Sequence, residues 1–159
     1  MEIMFYRLEG SSLETTVTTF AERTLQRGGR LALRGTGAAR LDMIDAHLWT
    51  YRDDAFLPHG QAGGAHDAEQ PVLLTTGKEI ANGAGTLLLV DGARLDIGEL
   101  EDFERVALIF DGGDPQATQD AREDWRAVAA TDHTAVFWAE EGGRWVEKAR
   151  SGQNPQKGG

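Results

Sequence analysis

Residues 2–34, EIMFYRLEGSSLETTVTTFAERTLQRGGRLALR, contain the pattern that decides the fold class. Residues 2–8 are rich in Ile, Phe and Tyr, which predicts a short first strand. Residues 30–34, RLALR, alternate strictly between polar and apolar and predict a second strand. Because a helical pattern separates the two strands, the unit predicts a mostly parallel sheet with helices on its faces.

The helical pattern between these strands has a recognisable start and end. Ser11 and Glu14 are spaced as in a capping box, in which both side chains bond backbone N–H groups of the first turn. Gly28-Gly29 predicts the end, because glycine readily takes the left-handed conformation that terminates helices. The residues expected on the buried face are Leu13, Val17, Phe20, Ala21, Thr24 and Leu25.

Three later segments predict further strands. Residues 71–76 have strand-like composition, while residues 86–90 and 106–110 are apolar runs typical of strands buried on both faces. A short helical turn is expected over residues 100–105, just before the last of these strands. The alternation of strands and helices therefore predicts an α/β fold.

The C-terminal part of the chain predicts a helix and then a hairpin. The helix is expected over residues 115–130, with Pro115 suited to its first turn. Residues 133–139 and 144–149 predict two aromatic strands joined through a turn that contains Gly142-Gly143. Residues 1–149 are thus expected to form a single domain, and the polar, glycine-rich residues 150–159 a disordered tail.

Residues 39–64, ARLDMIDAHLWTYRDDAFLPHGQAGG, form the most distinctive stretch of the chain. A helix is expected at its start, and it breaks at Asp53-Asp54 before a polar loop over residues 58–71. The apolar face of the helix comprises Leu41, Ile44 and Leu48. Histidines occur at His47, His59 and His66. Because a loop offers ligands little rigid support, we predict no metal site here.

Composition restricts the possible functions. The 159 residues include 26 acidic and 16 basic side chains, which gives a net charge of −10, and no cysteine. Phosphate neutralisation supplies most of the affinity of DNA-binding proteins, so we expect only weak direct binding to single-stranded DNA. A local basic pocket for a peptide is still compatible with this charge. No membrane span or signal peptide is evident, and a cytoplasmic protein is expected.

One short motif suggests a different function. Gly35-Thr36-Gly37 follows the second strand and opens a helix, as glycines do where a backbone approaches a pyrophosphate. The third glycine of that fingerprint is replaced by Arg40, and the motif follows the second strand instead of the first. The simpler interpretation, which we favour, is an ordinary strand-to-helix turn. A nucleotide-binding α/β enzyme is therefore the alternative function, although no catalytic set of residues accompanies the motif.

Several motifs resemble, in chain order, those of the chi subunit family of bacterial DNA polymerase III. They are Met4-Phe5-Tyr6-Arg7-Leu8, Arg40-Leu41-Asp42, Leu48-Trp49, Phe56-Leu57-Pro58-His59, the loop at residues 77–84, Phe103-Glu104-Arg105-Val106 and Ala121-Arg122-Glu123-Asp124-Trp125-Arg126. Each motif is short, but together they cover nearly the whole chain in the order of the family.

The resemblance implies a fold and a function. The fold is a three-layer α/β/α sandwich around a mostly parallel sheet. The function is that of a non-catalytic accessory subunit of the polymerase, which needs no cofactor and contacts DNA only indirectly. Such a subunit links the clamp-loader complex, through psi or an equivalent subunit, to the acidic, phenylalanine-terminated tail of single-stranded DNA-binding protein. A structural interaction module unrelated to replication is a further alternative.

The resemblance also implies a tail-binding site on the helix at 115–130. The matching residues are Arg122, Trp125 and Arg126. The family often has a basic residue one turn earlier, where this chain has Thr118, which predicts weaker electrostatic attraction. The alternatives are that Trp125 belongs to the core and that the arginines pair with Glu123 or Asp120.

A second contact surface is implied by the FxPH segment. By resemblance to the family, Phe56 and Leu57, with Trp49, are expected to face psi or the clamp loader. The alternative is that these side chains simply close over the sheet.

Overall fold

A computed structural model describes residues 1–51 and 57–152, and these residues build one mostly parallel sheet. Its strands are β1 (Glu2–Leu8), β2 (Leu31–Arg34), β3 (Gly60–Gln61), β4 (Val72–Thr75), β5 (Thr86–Leu89), β6 (Arg105–Asp111), β7 (Thr134–Glu141) and β8 (Arg144–Arg150). They lie side by side in the order β3-β4-β2-β5-β6-β1-β7-β8. Every neighbouring pair is parallel except the antiparallel pair β7–β8. The predicted α/β class and C-terminal hairpin are confirmed.

Helices cover both faces of this sheet. They are α1 (Leu13–Gln26), α2 (Ala38–Thr50) and α3 (Pro115–Ala129). One core cluster joins Val17 of α1 and Ile44 of α2 to the sheet, and the other joins Val128 of α3 and Leu100 of a 3-10 turn to the opposite face. The result is the predicted three-layer arrangement, because each helix buries its apolar stripe against one face of the sheet.

The predicted capping box at the start of α1 is wrong. Ser12, not Ser11, caps the helix, and its hydroxyl accepts a hydrogen bond from the backbone N–H of Thr15 at 3.1 Å. Glu14 instead forms an ion pair with Arg40 on α2, with an N–O distance of 3.1 Å. The backbone N–H of Ser11 instead donates to a carboxylate on β7, far away in the sequence. Local spacing could not predict that hydrogen bond.

That carboxylate belongs to Glu140, which holds the loop between β1 and α1. Its Oε1 accepts the backbone N–H groups of Glu9, Gly10 and Ser11, each at 3.1 Å. The Ser11 hydroxyl donates to the other carboxylate oxygen. The hydrogen bond from that hydroxyl, followed by those from the backbone, lowers the pKa of Glu140 from 4.5 to about 2.

We expect Glu140→Gln to destabilise the fold by about 1–2 kcal/mol at pH 7, since several hydrogen bonds to a charged acceptor are weakened at a partly exposed site. The folded-state pKa is depressed, so this stabilisation is complete above pH 4.5 and is lost as the pH falls towards 2. Urea unfolding at pH 7 and pH 3 measures both effects. Glu79→Gln, which alters an exposed carboxylate, is the control. A penalty that does not shrink in acid would contradict the assignment.

Strand β2 differs from its predicted amphipathic pattern. All four of its residues are buried, because β2 lies between β4 and β5 and both of its faces are covered. Arg34, a charged residue at the end of this strand, is only 5% exposed. Its guanidinium donates to both carboxylate oxygens of Glu99, at 2.5 and 3.2 Å, and to the carbonyl of Gly77 at 2.9 Å.

Two boundaries differ from prediction in the loops. The polar segment 58–71 contains β3, which pairs with β4 at the sheet edge, and a 3-10 turn at Asp67–Glu69. β3 carries no strand pattern of its own; it forms because Gly60 and Gln61 pair with β4, and the Gln61 amide also donates to Asp42 on α2 at 2.9 Å. The helical turn expected over 100–105 is a 3-10 helix at Ile97–Asp102, started by Asp96, whose carboxylate accepts from the N–H of Gly98.

The C-terminal hairpin is tighter than expected and reaches further. Gly142 and Gly143 form its two-residue turn at φ of 59° and 77°, left-handed values that suit glycine. β8 ends at Arg150, so the expected tail 150–159 begins inside the sheet, and Ser151 still bonds backbone atoms of Ala135. Residues 153–159 lie outside the described residues, and their disorder stays a prediction.

Candidate functional site

A groove of about 360 Å³ lies between α3 and the sheet. It is lined by Phe5, Arg7, Phe110, Thr118, Ala121, Arg122, Trp125, Phe137 and Ala149. Two of the three residues predicted to bind the tail, Arg122 and Trp125, therefore share one cavity. The third, Arg126, is exposed one turn further along α3 and does not line the groove.

Trp125 lies at the boundary between the core and the groove. Its ring packs edge-on against Phe5, with ring centroids 5.4 Å apart, and against Phe137 at 6.5 Å. It is only partly buried, and its remaining surface forms a wall of the groove. Trp125 therefore belongs to the edge of the core and to the cavity at once, so the two interpretations offered by the sequence are compatible.

Arg122 and Arg126 on α3 do not form the ion pairs with Glu123 or Asp120 that the sequence offered as an alternative. Asp114 caps the helix through bonds to the N–H groups of Gln116 and Ala117, and the helical period then places Arg122 and Arg126 on an exposed edge. Neither guanidinium pairs with any residue that the structure describes.

The carboxylates that might have neutralised these arginines are engaged elsewhere. Arg94 lies 3.5 Å from Asp120, 3.2 Å from Glu123 and 2.9 Å from Asp124. Its bonds to Asp124, which is buried, raise the pKa of the Arg94 guanidinium. The positive charge on the groove side of α3 is thus left uncompensated.

A second guanidinium, that of Arg7 on β1, also lines the groove. Its position there was not predicted from the sequence. Arg7 places its Cζ 5.3 Å from the ring centroid of Phe137, a cation–π contact, and its Nε lies 2.6 Å from Glu9. Alternation along β1 puts Arg7 on the same sheet face as Phe5, and that pattern could have indicated its position. It lies in the same cavity as Thr118, where the family often has a basic residue.

The second predicted contact surface is described only in part. Trp49, at the end of α2, is 51% exposed and lies against the ring of His59, with centroids 4.4 Å apart. His59 is buried; its Nδ1 donates to the Leu57 carbonyl at 2.7 Å, and its Nε2 lies 3.0 Å from the carboxylate of Asp45. A buried imidazole thus supports the exposed indole from below.

The other two residues of this surface have different positions. Leu57 is 4% exposed and packs in the core cluster beneath α2, so its side chain can support a contact there only from beneath. Phe56 lies outside the described residues, and its role stays a prediction.

The glycine turn considered for nucleotide binding lies in an acidic setting. Gly37 caps α2, and the Thr36 hydroxyl donates to the carbonyl of Asp91 at 2.7 Å. Arg40 is occupied by Glu14 and by Asp91, at 3.1 and 3.7 Å. The adjoining crevice, of about 550 Å³, carries the carboxylates of Glu9, Glu14, Asp91, Asp111, Asp114, Asp120 and Asp124. Such a lining repels phosphate, which disfavours the nucleotide alternative.

Within residues 1–51 and 57–152, no three imidazole or carboxylate groups converge in an arrangement suited to a metal ion. None of the helices in these ranges has the length and apolar character needed to cross a membrane.

The fold and the groove define a class of protein: an α/β domain with an aromatic cavity flanked by arginines. The chain belongs to the DNA polymerase III chi subunit family, because the family model described as DNA polymerase III chi subunit, HolC, matches residues 1–136. This membership confirms the resemblance seen in the sequence motifs.

Two curated relatives agree with this assignment. The chain is 33% identical over 107 residues to the DNA polymerase III subunit chi of Pseudomonas aeruginosa, an alignment that covers 67% of this chain and 71% of the relative. It is 31% identical over 81 residues to a protein named probable DNA polymerase III subunit chi from Rickettsia prowazekii, covering 48% of this chain and 49% of that relative.

Proposed function

We propose that this protein is a non-catalytic accessory subunit of DNA polymerase III that binds the acidic C-terminal tail of single-stranded DNA-binding protein in the α3 groove. The observation that carries the proposal is the uncompensated guanidinium of Arg122 beside the aromatic cavity of Trp125 and Phe137. A tail that ends in phenylalanine offers a carboxylate and an aromatic ring at the same position.

The chemistry of the groove matches these two groups. The Arg122 guanidinium is suited to hold the terminal carboxylate through two parallel hydrogen bonds. The phenylalanine ring packs against Trp125, as aromatic pairs do edge-to-face or offset. Arg126, one turn from Arg122 and outside the cavity, meets the acidic residues that precede the terminus.

Arg7 offsets the missing basic residue at position 118. Its guanidinium reaches the cavity from the sheet side, while Thr118 lines the same cavity from α3. Glu9 lies 2.6 Å from the Arg7 Nε. The terminal N–H groups of Arg7 donate to no residue in the described part of the chain, so they are available to a ligand. The tail is then held by cations from two elements, and the weaker attraction expected from Thr118 is partly restored.

The second contact of the proposed linking subunit, toward the clamp loader, is the surface at the end of α2. Trp49 offers an exposed aromatic contact, and Leu57 packs in the core below. Phe56 is included on the family resemblance alone. We assign this surface to psi or another clamp-loader subunit. DNA is then reached indirectly, in the cytoplasm, through the single-stranded DNA-binding protein.

Calorimetric titration with a synthetic acidic peptide that ends in phenylalanine tests the proposal. The free-acid peptide is expected to bind at one site. The same peptide with an amidated C-terminus is expected to bind at least about tenfold more weakly, because one charge-assisted pair is lost. If the free acid does not bind, the proposed function fails; equal affinity of the two forms would remove Arg122 from its assigned role.

A further inference from the structure

A second set of uncompensated arginines lies on the opposite face of the sheet. Arg23 and Arg27 project from the last turn of α1, and Arg105 comes from the start of β6. All three line a groove of about 410 Å³ between α1 and strands β1 and β6. None of the three forms an ion pair with a residue in the described part of the chain.

This clustering is unusual for the charge of the protein. With a net charge of −10, carboxylates are abundant, and most other described basic side chains are paired. Arg34, Arg40, Arg94 and Arg150, for example, each contact at least one carboxylate within 4 Å. Three exposed guanidiniums without an ion pair around one groove therefore form a local positive site on an acidic protein.

The three arginines line the groove together with an aromatic ring, that of Tyr6. Tyr6 lies in the floor of the groove, where burial raises the pKa of its hydroxyl and the nearby guanidiniums of Arg23, Arg27 and Arg105 oppose that rise. The floor is otherwise apolar. The Tyr6 ring packs edge-on against Phe20 and Trp145, with centroid distances of 6.1 and 5.1 Å, and Met4 lines the groove beside it.

We propose that this groove binds a short acidic peptide segment of a partner protein, with an apolar side chain seated on the Met4–Tyr6–Phe20 floor. The arginines supply charge-assisted hydrogen bonds to carboxylates, and the floor supplies apolar burial. The site lies on the other face of the sheet from the α3 groove. Two acidic segments can therefore occupy the protein at once.

A peptide fits the groove better than single-stranded nucleic acid. Glu2 and Glu104 also line it, so a strand with one negative charge per nucleotide would meet two carboxylates along its path. A peptide can place uncharged residues at those points. The aromatic rings of the floor are also packed against one another and are not free as flat stacking platforms, which nucleic-acid sites usually provide.

The test uses the full chain and a fluorescein-labelled peptide of sequence DDFDD, with an amidated C-terminus so that it cannot present a terminal carboxylate to Arg122. Fluorescence anisotropy is expected to show saturable binding. The double variant Arg23→Ala/Arg27→Ala is expected to weaken it at least about tenfold, as is Arg105→Glu alone. Arg144→Ala, which removes an exposed arginine elsewhere, is the control and should leave the affinity within about twofold. Arg122→Ala reports any binding of the peptide in the α3 groove.

Each other outcome overturns the proposal in a distinguishable way. No saturable binding up to millimolar protein removes the site. Loss of binding in Arg122→Ala assigns the peptide to the α3 groove. A dT oligonucleotide that binds more tightly than the peptide and depends on the same arginines makes the groove a nucleic-acid site. A change of oligomeric state in Arg105→Glu, measured by light scattering, makes it an interface between copies of the chain.

Discussion

Replacing Arg34 with Met is expected to lower the free energy of unfolding by about 3–5 kcal/mol, the usual cost of breaking a buried ion pair. Arg34 is 5% exposed, and the side chain of Glu99 is only 13% exposed. Loss of the guanidinium leaves the Glu99 carboxylate poorly solvated and without its cation. It also leaves the carbonyl of Gly77, in the loop after β4, without its donor.

Urea denaturation of two variants and a control tests this expectation. Lys78→Met removes the ion pair with Asp96, but there the side chains are 64% and 45% exposed, so solvent screens the pair and we expect little or no loss of stability. The double variant Arg34→Met/Glu99→Met should recover part of the loss, since no unpaired charge remains. Equal small losses in both single variants would show that burial does not strengthen the Arg34–Glu99 pair.

Replacing Arg122 with Ala is expected to weaken binding of the phenylalanine-terminated acidic peptide by about 1.5–3 kcal/mol, or roughly 10- to 150-fold. The guanidinium is exposed and bonds no described residue, so the melting temperature should remain nearly unchanged. The dependence of affinity on salt should also become shallower, because one cation no longer attracts the tail.

Arg144→Ala is the matched control for this prediction. It removes the same charge from an exposed position on β8, outside the α3 groove, and should leave the affinity almost unaltered. Arg7→Leu is expected to cause a smaller loss than Arg122→Ala, since Glu9 already neutralises part of the Arg7 charge. Parent-like affinity in Arg122→Ala, measured by calorimetry, would contradict the assigned role.

Both predictions concern arginines, and the surroundings of each explain the difference in the expected effect. Arg34 is enclosed by covered strands, so its removal alters the folded state itself. Arg122 lies on a solvent-exposed helix edge, and its nearest carboxylates are held by Arg94. Its removal is therefore expected to lower the affinity for a partner and to leave the folded state unchanged.

Local patterns in the sequence were enough to predict the class of fold. The apolar runs of β5 and β6, the helical periods of α1 and α3 and the glycine turn of the hairpin all depend on neighbours within a few residues. The same holds for the α3 part of the site: residues 122 and 125 are three apart, so a helix places both on adjoining faces whatever it packs against.

The tertiary structure alone decided which distant residues meet. Strand order places β2 between β4 and β5, where both faces are covered, and this buries Arg34 although the alternation in β2 is typical of a strand with one exposed face. The same order brings Arg7 of β1 beside Phe137 of β7, and Glu140 to the loop before α1. Hydrophobic alternation specifies which face of a strand is buried but not which strand lies next to it. Strand order therefore decides which residues line each groove and which arginines around it stay without an ion pair. No local sequence pattern encodes that order.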